Sequence, residues 1–327
     1  MKRIINIGAI VLGLFLVLGL LIYFKDKQNP GTIKIGIFQI ADHPALDKLR
    51  EGFQGAVTQS DFFKTHEVKF DFQNAGGDGT KIESIATYFA SSDIAIVYAI
   101  GTPVAQAVKA KNPKMRIVLG AASDPVSSGL VANWDKPGGV ITGTSDFPPV
   151  EKQVEMLQKV LPSIKRIGIL YNTSEDNSVS VVQRFKTYSI KQGYSVVEKP
   201  VASPADIPAA VASLGGLIDA VYVPTDNTVQ SGLPALIRGA FDLRIPVFGC
   251  DLDSVKKGAL YSIGTDYFDI GRVSGQMAVE ILGGSDPAMM GIRTGNHQLF
   301  FNRKTAAQLK VKLPSELVAI AAEVVEE

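Results

Sequence analysis

The sequence predicts an α/β protein made of two similar lobes, each a parallel β-sheet covered by helices, behind one apolar segment. Three observations predict it. From residue 33 on, short apolar runs alternate with amphipathic stretches, the pattern of successive β–α–β units. The same rhythm restarts after Pro148-Pro149 with matching local sequence. Residues 4–24 carry no charge and lie between Met1-Lys2-Arg3 and Lys25-Asp26-Lys27.

Composition sets the outer bounds. A chain of 327 residues, 46% hydrophobic, is long enough for two domains, each with its own core. A formal net charge of +1 excludes a nucleic-acid binder that works by neutralising phosphates. The single cysteine, Cys250, excludes a disulfide framework and a cysteine-rich zinc site.

Taken in order, 33–38 is a buried strand, and Asp42-His43-Pro44 opens a helix whose Leu46, Leu49, Phe53 and Val57 share a face. Residues 68–72 form a strand ended by the glycine-rich turn 74–79, and Ile82, Ile85, Ala86 and Phe89 mark the next helix. A strand at 94–99, a helix opened by Thr102-Pro103, a strand at 117–119 and a fifth at Val140-Ile141 complete the first series. The second series reads strand 166–171, helix 177–192, strand at Val196-Val197, helix 205–214, strand 220–223, helix to Leu243 and strand 247–249. Lys34-Ile35-Gly36-Ile37 pairs with Arg166-Ile167-Gly168-Ile169, and Val97-Tyr98 with Val221-Tyr222, in the same order. The chain continues through a strand at 259–263, a helix at 267–282 and a segment at 298–327. A chain that fills both lobes and then adds elements must cross between them repeatedly, which makes a hinge. The expected architecture is two Rossmann-like lobes joined by a multi-crossover hinge. Residues 32–145 and about 265–284 form the first lobe; 146–264 and about 285–327 form the second.

As a helix, the 21 residues from 4 to 24 cover the roughly 30 Å hydrocarbon core of a bilayer. No Ala-x-Ala follows and no nearby cysteine could carry a lipid, so residues 1–28 read as a signal-anchor with Lys2 and Arg3 in the cytoplasm. A cleaved signal peptide is the alternative. In both cases the body is exported, and it is mildly acidic once the basic N-terminus is set aside.

Ligands of open parallel sheets bind beyond the carboxyl ends of the strands, where helix N-termini offer N–H groups. In the first half those positions hold Gln39, Asp42, His43, Thr102, Ser123, Asp124 and Asp146. In the second they hold Asn172, Glu175, Asn177, Thr225, Asp226, Asn227 and Asp251. These loops mix hydroxyls, amides and carboxylates without Lys or Arg, and no GxGxxG or GxxxxGK[ST] cradle occurs, so a phosphate-bearing cofactor is not expected. They suit a zwitterion: helix N-termini with Thr102 and Ser123 for a carboxylate, and Asp226, Asp251 or Glu175 for an ammonium. Thr102, Asp124, Asn177 and Asp226 also read as simple helix caps, and Tyr98, Tyr171 and Tyr222 as packing residues.

Enzyme chemistry has little to stand on. His43, His66 and His297 fit no metal spacing, and no Gly-x-Ser-x-Gly occurs. His43 beside Pro44 reads as a polar helix start, and Cys250 as a buried thiol or pocket wall. No metal and no cofactor are expected.

The chain resembles the substrate-binding proteins of ABC importers of the tryptophan/tyrosine type, within the type I periplasmic-binding-protein fold. The resemblance rests on Gln39-Ile40-Ala41-Asp42-His43-Pro44-Ala45-Leu46, Gly101-Thr102-Pro103-Val104-Ala105-Gln106, Ser123-Asp124-Pro125-Val126, Ile141-Thr142-Gly143-Thr144-Ser145-Asp146, Tyr171-Asn172-Thr173-Ser174-Glu175-Asp176-Asn177-Ser178, Val223-Pro224-Thr225-Asp226-Asn227-Thr228 and Lys257-Gly258-Ala259-Leu260-Tyr261-Ser262-Ile263-Gly264. It implies an extracytoplasmic receptor that closes on a small ligand, an aromatic amino acid in particular, and presents it to a membrane permease driven by an ATPase. It places Thr102, Ser123, Asp124, Asp146, Asn172, Glu175, Asn177, Thr225, Asp226 and Asn227 in the pocket. Many members carry a lipid-bearing cysteine after the signal, which this chain lacks; an uncleaved anchor would replace it. A receptor for a branched amino acid, a nucleoside or a sugar, and a ligand sensor, stay open at this point.

Overall fold

A computed structural model describes residues 31–249 and 251–326. The expected membrane segment at 4–24 and Cys250 lie outside the described residues. Among the described residues no helix is long and apolar enough to cross a membrane.

The first half runs β1 (Ile33–Gln39), α1 (Pro44–Thr58), α2 (Asp61–Thr65), β2 (Val68–Asn74), α3 (Gly79–Ser91), β3 (Ile96–Ile100), α4 (Thr102–Lys111), β4 (Ile117–Gly120) and β5 (Ile141–Ser145). The second runs α5 (Val150–Val160), β6 (Arg166–Tyr171), α6 (Asp176–Lys191), β7 (Ser195–Pro200), α7 (Ile207–Ala212), β8 (Ala220–Tyr222), α8 (Asn227–Ser231), α9 (Leu233–Asp242), β9 (Val247–Gly249), α10 (Leu252–Lys256) and β10 (Tyr261–Thr265). The chain then adds α11 (Tyr267–Leu282), β11 (Arg293–Thr294), β12 (His297–Asn302), α12 (Arg303–Gln308), α13 (Ser315–Val318) and β13 (Glu323–Val325).

Two sheets result, ordered β11-β5-β4-β3-β1-β2 and β13-β12-β10-β9-β8-β6-β7. Within each, five consecutive strands take the same spatial order, second-first-third-fourth-fifth, and pair in parallel. The sequence echo is therefore a structural repeat. Its cores match as well: Tyr98 of β3 stacks on Phe53 of α1 with ring centroids 3.9 Å apart, and Tyr222 of β8 stacks on Phe185 of α6 at 3.8 Å. Both tyrosines are fully buried, the packing role expected of them. Two strands, β12 and β13, run against the rest of the second sheet and parallel to each other. β12 enters directly from a crossover, without a helix to carry the chain back, so it pairs antiparallel to β10 (Tyr261 opposite Phe301).

The chain crosses between the sheets after β5, after β10 and after β11. The third crossover falls later than the expected change near residue 285. β11 pairs with β5, and the Thr142 hydroxyl donates to the Met290 carbonyl, so residues up to Thr294 belong with the first sheet. Between these two visits to the first sheet, α11 is clamped against α1 by glycines. A Cβ on Gly271 would sit 2.1 Å from the Leu49 carbonyl oxygen, and one on Gly52 2.1 Å from that of Phe268. Backbone cannot yield as a side-chain tip does, so only glycine permits this approach.

Gly271→Ala is therefore expected to destabilise the protein by about 2–3 kcal/mol. Gly55→Ala, in α1 where a Cβ would meet nothing within 4 Å, should be neutral or stabilising by about 0.5–1 kcal/mol. Denaturant titration of the two variants checks the pair; equal midpoints would refute the clamp.

Candidate ligand-binding site

Loops at the carboxyl ends of both sheets line one cavity. The first lobe supplies an apolar wall and a set of donors. Ala41, Ala45, Leu46 and Ala121 form the wall. Beside them α4 starts at Thr102 with no side chain capping it. Its N-cap is Gly101 at φ 107°, where the chain passes so close to Ile40 that a Cβ would lie 2.9 Å from Cγ2. Pro103 has no N–H, so the donors open at this helix start are the N–H groups of Thr102 and Val104. The Thr102 hydroxyl finds no hydrogen-bond partner among the described residues although the residue is 1% exposed.

The second lobe supplies acceptors. Glu175 is buried and takes hydrogen bonds from the backbone N–H and side chain of both Asn227 and Thr228, at 2.6–3.0 Å. Asp226 caps α8 by accepting from Val229 N at 2.7 Å, and its other oxygen accepts from Asn172 N at 2.6 Å. Asp251 caps α10 through Ser254 N and accepts from Gln230 Nε2 at 2.9 Å. Asn177 donates to the Thr225 carbonyl at 2.8 Å, and its Oδ1 meets no donor among the described residues.

The lobes are closed on each other. The Ser123 and Thr225 hydroxyls meet at 2.9 Å, Ser180 Oγ donates to Asp124 at 2.7 Å, Gln106 Nε2 donates to Asp176 at 2.7 Å, and His43 Nε2 lies 3.4 Å from Gln230 Oε1. Asp146, on the first crossover, accepts from Ser123 Oγ at 2.8 Å and from the Tyr267 hydroxyl at 2.9 Å. Since Ser123 has one proton and gives it to that carboxylate, Thr225 is the donor in the bond between the lobes.

Burial dominates the electrostatics. Loss of solvent pushes the Asp146 carboxyl up to about 6, against the two hydroxyls that favour its charge. Asp226 is pushed up for the same reason and by the neighbouring charge of Glu175.

Of the twelve residues expected at the site, Thr102, Ser123, Asp146, Asn177, Thr225, Asp226, Asn227 and Asp251 line the cavity. Four do not. Gln39 is turned away, held by Arg50, Asp47 and the Ala41 carbonyl, and it shapes the loop from behind. Asn172 bonds Thr228 and braces Asp226; Glu175 fixes the Asn227–Thr228 backbone; Asp124 caps its own turn and meets Ser180 at the rim. Gln39, Asn172 and Glu175 sit one layer behind the cavity and Asp124 at its rim, because a carboxylate or amide at a strand end serves the loop before it serves the cavity. His43 is the expected helix start, accepting from Ala45 N at 3.1 Å, and it lines the cavity too. Gln230 and Tyr267 escaped the sequence reading. Gln230 lies one turn beyond Asp226 on α8, a spacing that could have flagged it; Tyr267 arrives through a crossover with no local signal.

A two-lobed receptor that closes around a small molecule is what this fold and cavity define. A sequence model of the family described as ABC transporter substrate binding protein matches residues 34–325, and the chain belongs to that family. It is 37% identical over 289 residues to a tyrosine-binding protein of Clostridioides difficile, covering 88% of this chain and 84% of the relative. Among solved structures, it superposes with a TM-score of 0.86 on an ABC domain of Streptococcus pneumoniae in complex with L-Trp, at 32% identity. On the ligand-free, open structure of CD0873, a substrate-binding protein with adhesive properties from Clostridium difficile, the TM-score is 0.68 despite 39% identity. Both alignments cover 90% of this chain and 100% of the other. The better fit to the less similar sequence agrees with the closed arrangement of the lobes.

A buried carboxyl with a raised folded value holds its proton more tightly folded than unfolded. Its contribution to stability is complete below about pH 4 and is lost as pH rises through about 6, which for Asp146 is of order 3 kcal/mol. Asp146→Asn can keep partners in Ser123 and Tyr267, so thermal melts from pH 4 to 8 should show a shallower decline for the variant than for the ligand-free native chain. Parallel profiles would contradict the assignment.

Proposed function

We propose that the chain captures a free aromatic L-amino acid in this cleft and delivers it to its permease without chemical change. The supporting observation is a pair of buried, unpartnered polar atoms facing one cavity from opposite lobes: a donor, Thr102 Oγ1, and an acceptor, Asn177 Oδ1. The carboxylate of the ligand takes Thr102 and the open N–H groups at the start of α4. Its ammonium faces Asn177, Asp226 and Asp251, where it supplies the positive charge that no protein side chain brings. Its ring lies on Ala41, Ala45, Leu46 and Ala121. The relatives that bind tyrosine and L-Trp favour an aromatic ring over a branched side chain, and the acidic cleft favours an amino acid over a sugar or nucleoside.

Residues 4–24 hold this receptor at the outer face of the cell membrane beside the permease and its ATPase. The short tether before Ile33 keeps it there. On that reading the protein stays with membranes through an alkaline carbonate wash, and deleting residues 1–28 releases it.

Calorimetry of the full chain in detergent should show micromolar or tighter binding of L-Trp, L-Tyr or L-Phe and none of sugars or nucleosides. Thr102→Val should weaken that binding about 10- to 100-fold, the worth of a hydrogen bond to a charged group. Because the hydroxyl has no partner among the described residues, the same change should leave ligand-free stability unchanged or higher. Native affinity in the variant would remove Thr102 from the site.

A further inference from the structure

We infer that Gln230, oriented by Asp251 and His43, reads the ring of the bound amino acid and favours a ring that carries a hydrogen-bond donor. An indole N–H or a phenol O–H satisfies it; a plain phenyl ring does not. The inference rests on the aromatic-amino-acid reading above and adds the discrimination within that class.

The hydrogen bonds fix which way the amide points. Asp251 accepts from Ser254 N at 2.7 Å, Ser254 Oγ at 2.9 Å and Gln230 Nε2 at 2.9 Å. An ionised carboxylate only accepts, so the NH₂ group of Gln230 must face it and Oε1 must face away. On the other side, His43 Nδ1 accepts from Ala45 N, so a neutral ring carries its proton on Nε2 and aims it at Gln230 Oε1. That contact is 3.4 Å, long for a hydrogen bond, and a carbonyl oxygen accepts two. Gln230 therefore presents an acceptor with spare capacity inside the cavity.

Its carbonyl end points from Asp251 toward the apolar wall, where a ring would lie. His43 stands between Ala41 and Ala45 on the apolar wall, and Gln230 faces it across the seam. Asp226 is the N-cap of α8 and Gln230 lies within the helix, so the acceptor assigned to the ammonium and the acceptor assigned to the ring come from one short segment. A phenyl edge would leave the carbonyl against C–H groups, whereas an indole or phenol donor fills it. A site built around a polar group rejects the analogue that lacks it more strongly than an apolar site rejects an added one.

The test is calorimetry of the full chain in detergent with L-Trp, L-Tyr and L-Phe, comparing the native protein with Gln230→Met and Gln230→Leu. Asp251 keeps both Ser254 bonds in either variant, and each variant alone can carry the test. The expected result is a loss of about 10- to 100-fold for L-Trp or L-Tyr, whichever the native protein prefers, with L-Phe unchanged or tighter. An equal loss for all three ligands would assign Gln230 to the amino-acid end and overturn the inference, as would unchanged affinities. Failure of the native protein to bind any of the three overturns the aromatic reading itself.

Discussion

Four carboxylates, Asp146, Glu175, Asp226 and Asp251, are buried at the seam between the lobes, and no lysine or arginine is buried among the described residues. The rest of the site follows from that imbalance. Each acid is partly compensated: Glu175 by two N–H groups and two side chains, Asp226 by two N–H groups, Asp251 by Ser254 and Gln230. Asp146 has two hydroxyls, and burial pushes it up despite them, as burial also pushes up Asp226. Hydrogen-bond dipoles supply partial charge, not a full positive unit. A ligand that brings an ammonium completes the closed seam, and a neutral sugar of the same volume leaves it acidic and desolvated.

The same residues tie the cavity to the hinge. Asp146 stands on the first crossover and Tyr267 just beyond the second, and their bond joins the two strands of chain on which the lobes turn. The third crossover is held to the first by His297 Nε2 at 3.2 Å from the Phe147 carbonyl. From Asp146 the hydrogen bonds continue through Ser123 to Thr225 in the second lobe. Charge at the crossover therefore orients the serine proton, and the serine in turn accepts the threonine proton that bridges the lobes. Closure and occupancy share these groups, which gives a ligand something to select between open and closed forms.

The parts of this architecture that are legible in the sequence are those written locally. β6, β9 and α11 fall on the residues expected, because an apolar run or a 3.6-residue stripe fixes each without help from elsewhere. α5 is absent from the expected elements although Val150, Val154, Leu157 and Val160 make a clear stripe, because Pro148-Pro149 reads as a boundary between lobes and not as a helix start. β11 has two residues, and only its pairing with β5 makes it a strand. At the site, strand-end position finds eight lining residues but cannot separate the layer facing the cavity from the layer behind it. Asp226 and Glu175 look alike in sequence. The difference lies in which neighbouring N–H groups claim their oxygens, and that depends on loops that meet only in the folded chain.

The two lobes share one strand order and one aromatic pair in the core, yet they meet the cavity with opposite chemistry. After β1 the first lobe offers Ala41, His43, Ala45 and Leu46; after β6, its structural counterpart, the second offers Asn177 over a buried Glu175. After β3 the chain enters α4 through an uncapped glycine, leaving N–H groups open; after β8 it enters α8 through Asp226, whose carboxylate closes the helix start. A repeated scaffold that kept equal loops would face itself with like groups and would close only on a symmetric ligand. Here one copy keeps its donors and its apolar wall, and the other turns the same positions into acceptors. The cleft acquires a direction, from a lobe with open donors and an apolar wall to a lobe lined by acceptors, and the proposed ligand, with a carboxylate, an ammonium and a ring on one carbon skeleton, matches that direction.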